Sequence, residues 1–170
     1  MLSAQVAQRR AVPRRGDTVR TAGGFAAVVP YFFWVPYAVI ALRPGPEIAV
    51  PDVLRWVGLA GGVAGVALSL WSIAALGRHY DLVLEVHADH ELVRRGPYAV
   101  VRHPVYTGLA IHFAGLCLAT GNLLLIAGTL LVSFPSFYLR AQAEEKLLRE
   151  RFGAEYERYA REVPMLVPLL

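Results

Sequence analysis

Four long apolar runs, three of them without a charged residue, leave this chain few places to fold other than a lipid bilayer. The first extends from Gly23 to Leu42. As a helix it measures about 30 Å, the thickness of a hydrocarbon core. It is too long for the core of a signal peptide, and no small-residue cleavage site follows it. The second covers roughly Val53 to Leu76, the third Pro104 to Thr120 and the fourth Leu123 to Leu139. Pro30 and Pro36 kink the first run without breaking it, and Arg43-Pro44-Gly45-Pro46 ends it. In the second, Gly58, Gly61, Gly62 and Gly65 form two overlapping Gly-x-x-x-Gly spacings that let helix backbones approach in lipid. Trp56 and Trp71 stand near its ends, as interfacial aromatic residues do. Gly121-Asn122 leaves room only for a tight turn, so 104–139 reads as an antiparallel helical hairpin.

The composition agrees. Hydrophobic residues make up 56% of the 170 and charged residues only 18%, which excludes a disordered chain. The net charge is +4, and 16 of the 17 cations are arginine. Fifteen of the 17 fall in three stretches: before the first run, between the second and third, and after the fourth. Only Arg43 and Arg55 fall on the opposite side. The positive-inside rule then gives four spans with both termini and the long loop in the cytoplasm. The charge is a topology signal and no nucleic-acid surface. The expected fold is all-α and polytopic: a basic N-terminus (1–22), two spans (23–76), and a core (77–170) of cytoplasmic loop, hairpin and C-terminal helix. In that last helix Leu148, Phe152, Tyr156 and Tyr159 share one face, with Gly153 as an interruption. Either it lies on the lipid or it packs as a lid over a cytoplasmic site.

The chemistry-bearing residues cluster unevenly. Cys117 sits within an apolar run and reads as an inert thiol. His79, His87, His90, His103 and His112 follow no zinc-binding spacing, and no metal is expected. The stretch 96–108 gathers Arg102, His103, Tyr98 and Tyr106 where a loop turns into a membrane helix, whose N-terminus favours anionic or hydroxyl groups. On composition alone, a headgroup anchor is the simpler reading. Arg140 and Glu144, one turn apart, form either a plain ion pair or charges held at a membrane helix end for use.

Gly96-Pro97-Tyr98 followed by Arg102-His103-Pro104-x-Tyr106-x-Gly108 resembles the signature of the isoprenylcysteine carboxyl methyltransferase family, related to membrane phospholipid methyltransferases. The resemblance extends upstream to His90-Glu91-Leu92-Val93. Downstream it reaches Arg140, Glu144-Glu145, Phe152-Gly153-x-x-Tyr156-x-x-Tyr159 and Val163-Pro164. It implies S-adenosyl-L-methionine as cofactor, held without a dinucleotide-type Gly-rich loop, in a cytoplasmic site between the loop and the C-terminal tail. It implies that His90, Glu91, Leu92 and Val93 border the adenosine. Tyr98, His103, Pro104, Val105 and Tyr106 line the pocket, Glu144 holds the cationic methionine end, and Arg140 orients the acceptor. Eukaryotic members carry a cofactor-contacting Gln further upstream, where this chain has Leu82, Val83 and Leu84. The implied partners are a lipophilic or lipidated acceptor and membrane lipid. The implied reaction is in-line methyl transfer. A carboxylate acceptor needs no base, whereas a phenol or amine would need one of His103, Glu145 or Tyr106. Lipidic phenols, small thiols and phosphatidylethanolamine are alternative acceptors, and a non-catalytic scaffold is the alternative of another class. The short, arginine-rich chain points to a bacterial inner membrane.

Overall fold

A computed structural model describes residues 18–21, 37, 39–40, 45–77, 85–87 and 92–168. Helices dominate it. α1 (Asp52–Leu76) and α2 (Pro104–Thr120) pack side by side. α3 (Leu123–Gly128) continues through a π-helical turn, Thr129–Ser133, into α4 (Phe134–Phe152), and α5 (Ala154–Glu162) follows Gly153. The all-α expectation needs one correction. Strand β1 (Thr18–Thr21) pairs antiparallel with β2 (Glu85–His87), with an irregular register between Thr18 and Arg20. The correction is local, since these three- and four-residue strands carry too few alternating residues to register as a period.

Two described helices are long and apolar enough to cross a membrane, α1 and the continuous Leu123–Phe152 rod, and α2 is a shorter apolar helix. They expose large apolar side chains: Val53, Trp56 and Leu131 are 73%, 70% and 76% accessible. In water such surface would be untenable at this density. The uncharged part of the rod ends at Leu139, and a 30-residue helix exceeds the bilayer core, so the charged half of α4 projects beyond it. The expected first span lies outside the described residues except for Tyr37, Val39 and Ile40.

Glycine sets the approach of α1 to α2. An added Cβ at Gly65 would stand 2.4 Å from the Gly108 carbonyl oxygen, and one at Gly115 would stand 2.5 Å from the Gly58 oxygen. The packed stripe is Gly58, Gly62, Gly65, Ser69 and Ser72, spaced three and four apart. Among the described residues an added Cβ at Gly61 would meet nothing within 4 Å, so against α2 the spacing that packs is 58–62 rather than 61–65. Two cross-helix bonds complete the contact. Ser69 Oγ donates to the Val105 carbonyl (3.1 Å), and His112 Nδ1 stands 3.0 Å from the Gly62 carbonyl.

The hairpin forms as its sequence predicts. Gly121 takes the left-handed conformation (φ 68°), and the Asn122 side chain accepts from the Leu124 and Leu125 amides, capping α3. Glu47 bridges to Asn122, tying the opposite loop to this turn. Cys117 is half-buried, with Sγ 3.2 Å from Thr129 Oγ1. The π-helical turn precedes Pro135, whose missing N–H and bulky ring disfavour a regular α-turn just upstream. Tyr106, Phe113 and Phe137 then stack through the core toward the charged end, with centroids 5.7–6.2 Å apart.

Candidate functional site

Where α2 begins, Pro104 needs no amide partner, and the preceding residues turn back onto the C-terminal tail. The Arg102 amide donates to the Pro164 carbonyl (2.9 Å) and the His103 amide to the Met165 carbonyl (3.1 Å). Thr107 Oγ1 donates to the Leu166 carbonyl (2.7 Å). The C-terminal segment is therefore docked on the site.

His103 is buried between two carboxylates, with Nδ1 3.3 Å from Glu144 Oε2 and Nε2 3.5 Å from Glu145 Oε1. Among the described residues Nε2 has no hydrogen-bond partner. Tyr106 Oη donates to Glu144 and accepts from Arg140 Nε (2.7 Å). Arg140 Nε is also 3.5 Å from Glu144 Oε1. The phenol thus bridges the two members of the i,i+4 pair. Arg140 is 3% exposed, whereas Glu144 keeps 27% of its side chain open. A carboxylate with an open edge, beside the stacked His103 and Tyr106 rings (6.0 Å), suits a small organic cation.

Glu145 takes a different place. Arg102 grips Oε1 through Nε (2.7 Å) and Nη2 (2.6 Å), and Arg149 Nη2 donates to Oε2 (2.9 Å). Burial alone would raise its pKa, but the His103 and Arg102 contacts outweigh that and hold it at about 2. Such a carboxylate is a poor proton acceptor, which removes Glu145 from the candidate bases. Burial likewise opposes a charge on His103, yet Glu144 and Glu145 leave its pKa raised above the ordinary 6.5.

The other expected residues separate into groups. Tyr98 is buried in a 3-10 turn, Gly96–Ala99, and its carbonyl accepts from Tyr159 Oη (2.6 Å). Burial pushes the Tyr159 hydroxyl up to about 12, so it remains a donor. Val105 contributes a carbonyl to Ser69, and Leu92 and Val93 are half-buried. His90 and Glu91 lie outside the described residues. Sequence reasoning missed the work of Arg102, which it counted only as a motif letter and a topology charge. The second carboxylate at Glu145 was the available signal, because a charge buried beside Glu144 needs a cationic partner of its own.

The acid limb of stability follows from Glu145. Its folded pKa lies below the ordinary 4.5, so its stabilisation is complete above that value and fades as pH falls toward 2. The unfolding midpoint in detergent should drop by several degrees across this window. Glu145→Gln should flatten that limb, and a variant that keeps it would assign it to another group.

Helices that expose apolar side chains, with a compact charged site at the end of a hairpin, have the character of a membrane-embedded protein. A family model described as Phospholipid methyltransferase matches residues 53–155, and the chain belongs to that family. It is similar to a probable protein-S-isoprenylcysteine O-methyltransferase of Oryza sativa subsp. indica, 32% identical over 127 residues, covering 74% of this chain and 66% of that protein. It is also similar to the protein-S-isoprenylcysteine O-methyltransferase of Schizosaccharomyces pombe, 40% identical over 82 residues, covering 48% and 35%. Among solved structures it resembles the eukaryotic intramembrane Ras methyltransferase, isoprenylcysteine carboxyl methyltransferase. There the TM-score is 0.64 at 27% identity, covering 85% of this chain and 51% of that one. The chain thus spans just under two thirds of the rice relative and about half of the solved chain.

Proposed function

We propose that the chain transfers a methyl group from S-adenosyl-L-methionine to a lipophilic acceptor at the cytoplasmic face of a membrane, in the manner of an isoprenylcysteine carboxyl O-methyltransferase. The observation that carries this reading is the single network of His103, Tyr106, Arg140 and Glu144, drawn from two sequence blocks on either side of a hairpin. When bound, the cofactor supplies a methyl group on a positively charged sulfur. Glu144 offers negative charge to that end of the ligand. Arg140 presents a planar fork suited to a carboxylate or phosphate on the acceptor, delivered from the lipid side. The apolar helices keep water from the reacting atoms. A carboxylate acceptor arrives ionised and needs no base. For an amine or phenol His103 or Tyr106 would have to act, and the two acidic neighbours of His103 raise its pKa above the ordinary 6.5.

Four spans, cytoplasmic termini and the adenosine border at His90 to Val93 belong to the same proposal. A bacterial inner membrane rests on the arginine-rich composition. The family model names phospholipids, which keeps phosphatidylethanolamine as a second acceptor class.

The test is methyl-labelled cofactor with a panel of prenylcysteine analogues, phospholipids, long-chain phenols and small thiols. Label in the prenylcysteine carboxyl is expected. Label in phosphatidylethanolamine alone would move the chain to the second class, and no binding of the cofactor or its demethylated product would favour a scaffold. Glu144→Gln should weaken cofactor binding by about tenfold in calorimetry, the loss of one charge-assisted contact. An unchanged dissociation constant would refute the role of that carboxylate.

A further inference from the structure

The guanidinium of Arg102 ties three segments together. Nε and Nη2 hold Glu145 Oε1, while Nη1 donates to the Ala160 carbonyl (2.8 Å) and to the Val163 carbonyl. One planar group therefore joins the α4 residue next to Glu144 with the end of α5 and the start of the tail. The backbone on either side repeats the connection through the Arg102, His103 and Thr107 bonds to Pro164, Met165 and Leu166. Arg102, Arg161, Val163, Pro164 and Met165 also line a groove of about 500 Å³, so this side chain and the tail build one wall. Its side chain is only 10% exposed, and a buried fork with its donors on fixed acceptors has one geometry.

We propose that Arg102 is a positioning residue, which fixes the C-terminal segment 163–166 against His103 and so completes the cofactor side of the site. This rests on the methyltransferase reading above. Lysine keeps the charge but cannot reach Glu145 and two carbonyls at once, so Arg102→Lys isolates the fork.

The test uses the full chain in detergent or nanodiscs. The amides of Arg102 and His103 donate into the tail, so their hydrogen exchange reports its docking. In Arg102→Lys, exchange of a peptide covering residues 102–103 should quicken about tenfold, and KM for S-adenosyl-L-methionine should rise about as much while kcat changes little. Thr107→Val removes the bond to Leu166 together with the weaker one to the His103 carbonyl, leaves the Arg102 fork intact, and should move both readouts in the same direction by less. Unchanged exchange in Arg102→Lys overturns the proposal. Faster exchange with unaltered cofactor affinity, or a fall in kcat at constant KM, overturns it as well. Exchange is measured without cofactor, so it judges the tail contact even if the native chain binds none. That last result would sink the functional reading instead.

Discussion

Arg140→Ala is expected to lower kcat/KM by at least about a hundredfold, while the dissociation constant of S-adenosyl-L-methionine stays within a few-fold of the native value. The asymmetry comes from the side chain's place in the network. Arg140 reaches Glu144 at 3.5 Å, but its close contact is the Tyr106 hydroxyl at 2.7 Å. Removing it leaves Glu144 with the Tyr106 and His103 contacts, enough to keep that carboxylate oriented toward a cation. On the proposed reading, what disappears is the guanidinium that would hold the acceptor anion in line with the methyl group. Arg140→Lys restores charge without bidentate geometry and should recover only part of the rate. Steady-state kinetics with a prenylcysteine analogue, alongside calorimetry of cofactor binding, separates the two quantities. Equal losses of affinity and rate would place Arg140 on the cofactor, and full activity would place acceptor orientation elsewhere. The variant's unfolding midpoint must also be followed, because Arg140 is 3% exposed and its removal leaves a cavity beside Tyr106.

Much of this arrangement was legible before any coordinates. Pro104 marked the start of α2 and Gly121-Asn122 its end, because proline and glycine restrict the backbone whatever the tertiary context. The Gly153 interruption is legible for the same reason, and it divides the Leu148–Tyr159 face between two helices. The spacing of Arg140 and Glu144 placed them on one face, and they do meet. The bridge between them was not legible, because Tyr106 enters from another helix and only folding sets that distance. The C-terminal part reads either as lying on the lipid or as a lid packed over the site. Its docking depends on backbone carbonyls at 163–166, which leave no trace in side-chain identity. The π-helical turn could have been expected from Pro135 within an otherwise regular apolar run.

The glycine stripe carries the other large effect. Gly65→Ala and Gly108→Ala should each prevent α1 from seating on α2. The added carbon at Gly65 would lie 2.4 Å from the Gly108 oxygen and 2.5 Å from the His112 amide nitrogen. At Gly108 it would lie 2.4 Å from Ser69 Oγ and 2.6 Å from the Gly65 oxygen. These neighbours are mostly backbone, which cannot swing away, so the helices must part and lose the packing that associates them in lipid. Separation also strains the Ser69–Val105 and His112–Gly62 bonds, each roughly 1 kcal/mol in a membrane interior. Val105 lies two residues from His103, so a shift of α1 reaches the site through that carbonyl. Each variant should therefore lose several kcal/mol of stability, typical of overpacking against an unyielding wall, with yield and cofactor binding falling together. Gly61→Ala is the control, since its carbon would meet nothing within 4 Å. It should gain slightly in helix propensity and keep its unfolding midpoint. If Gly61→Ala proved as damaging as Gly65→Ala, the stripe at 58, 62 and 65 would not be the packed face.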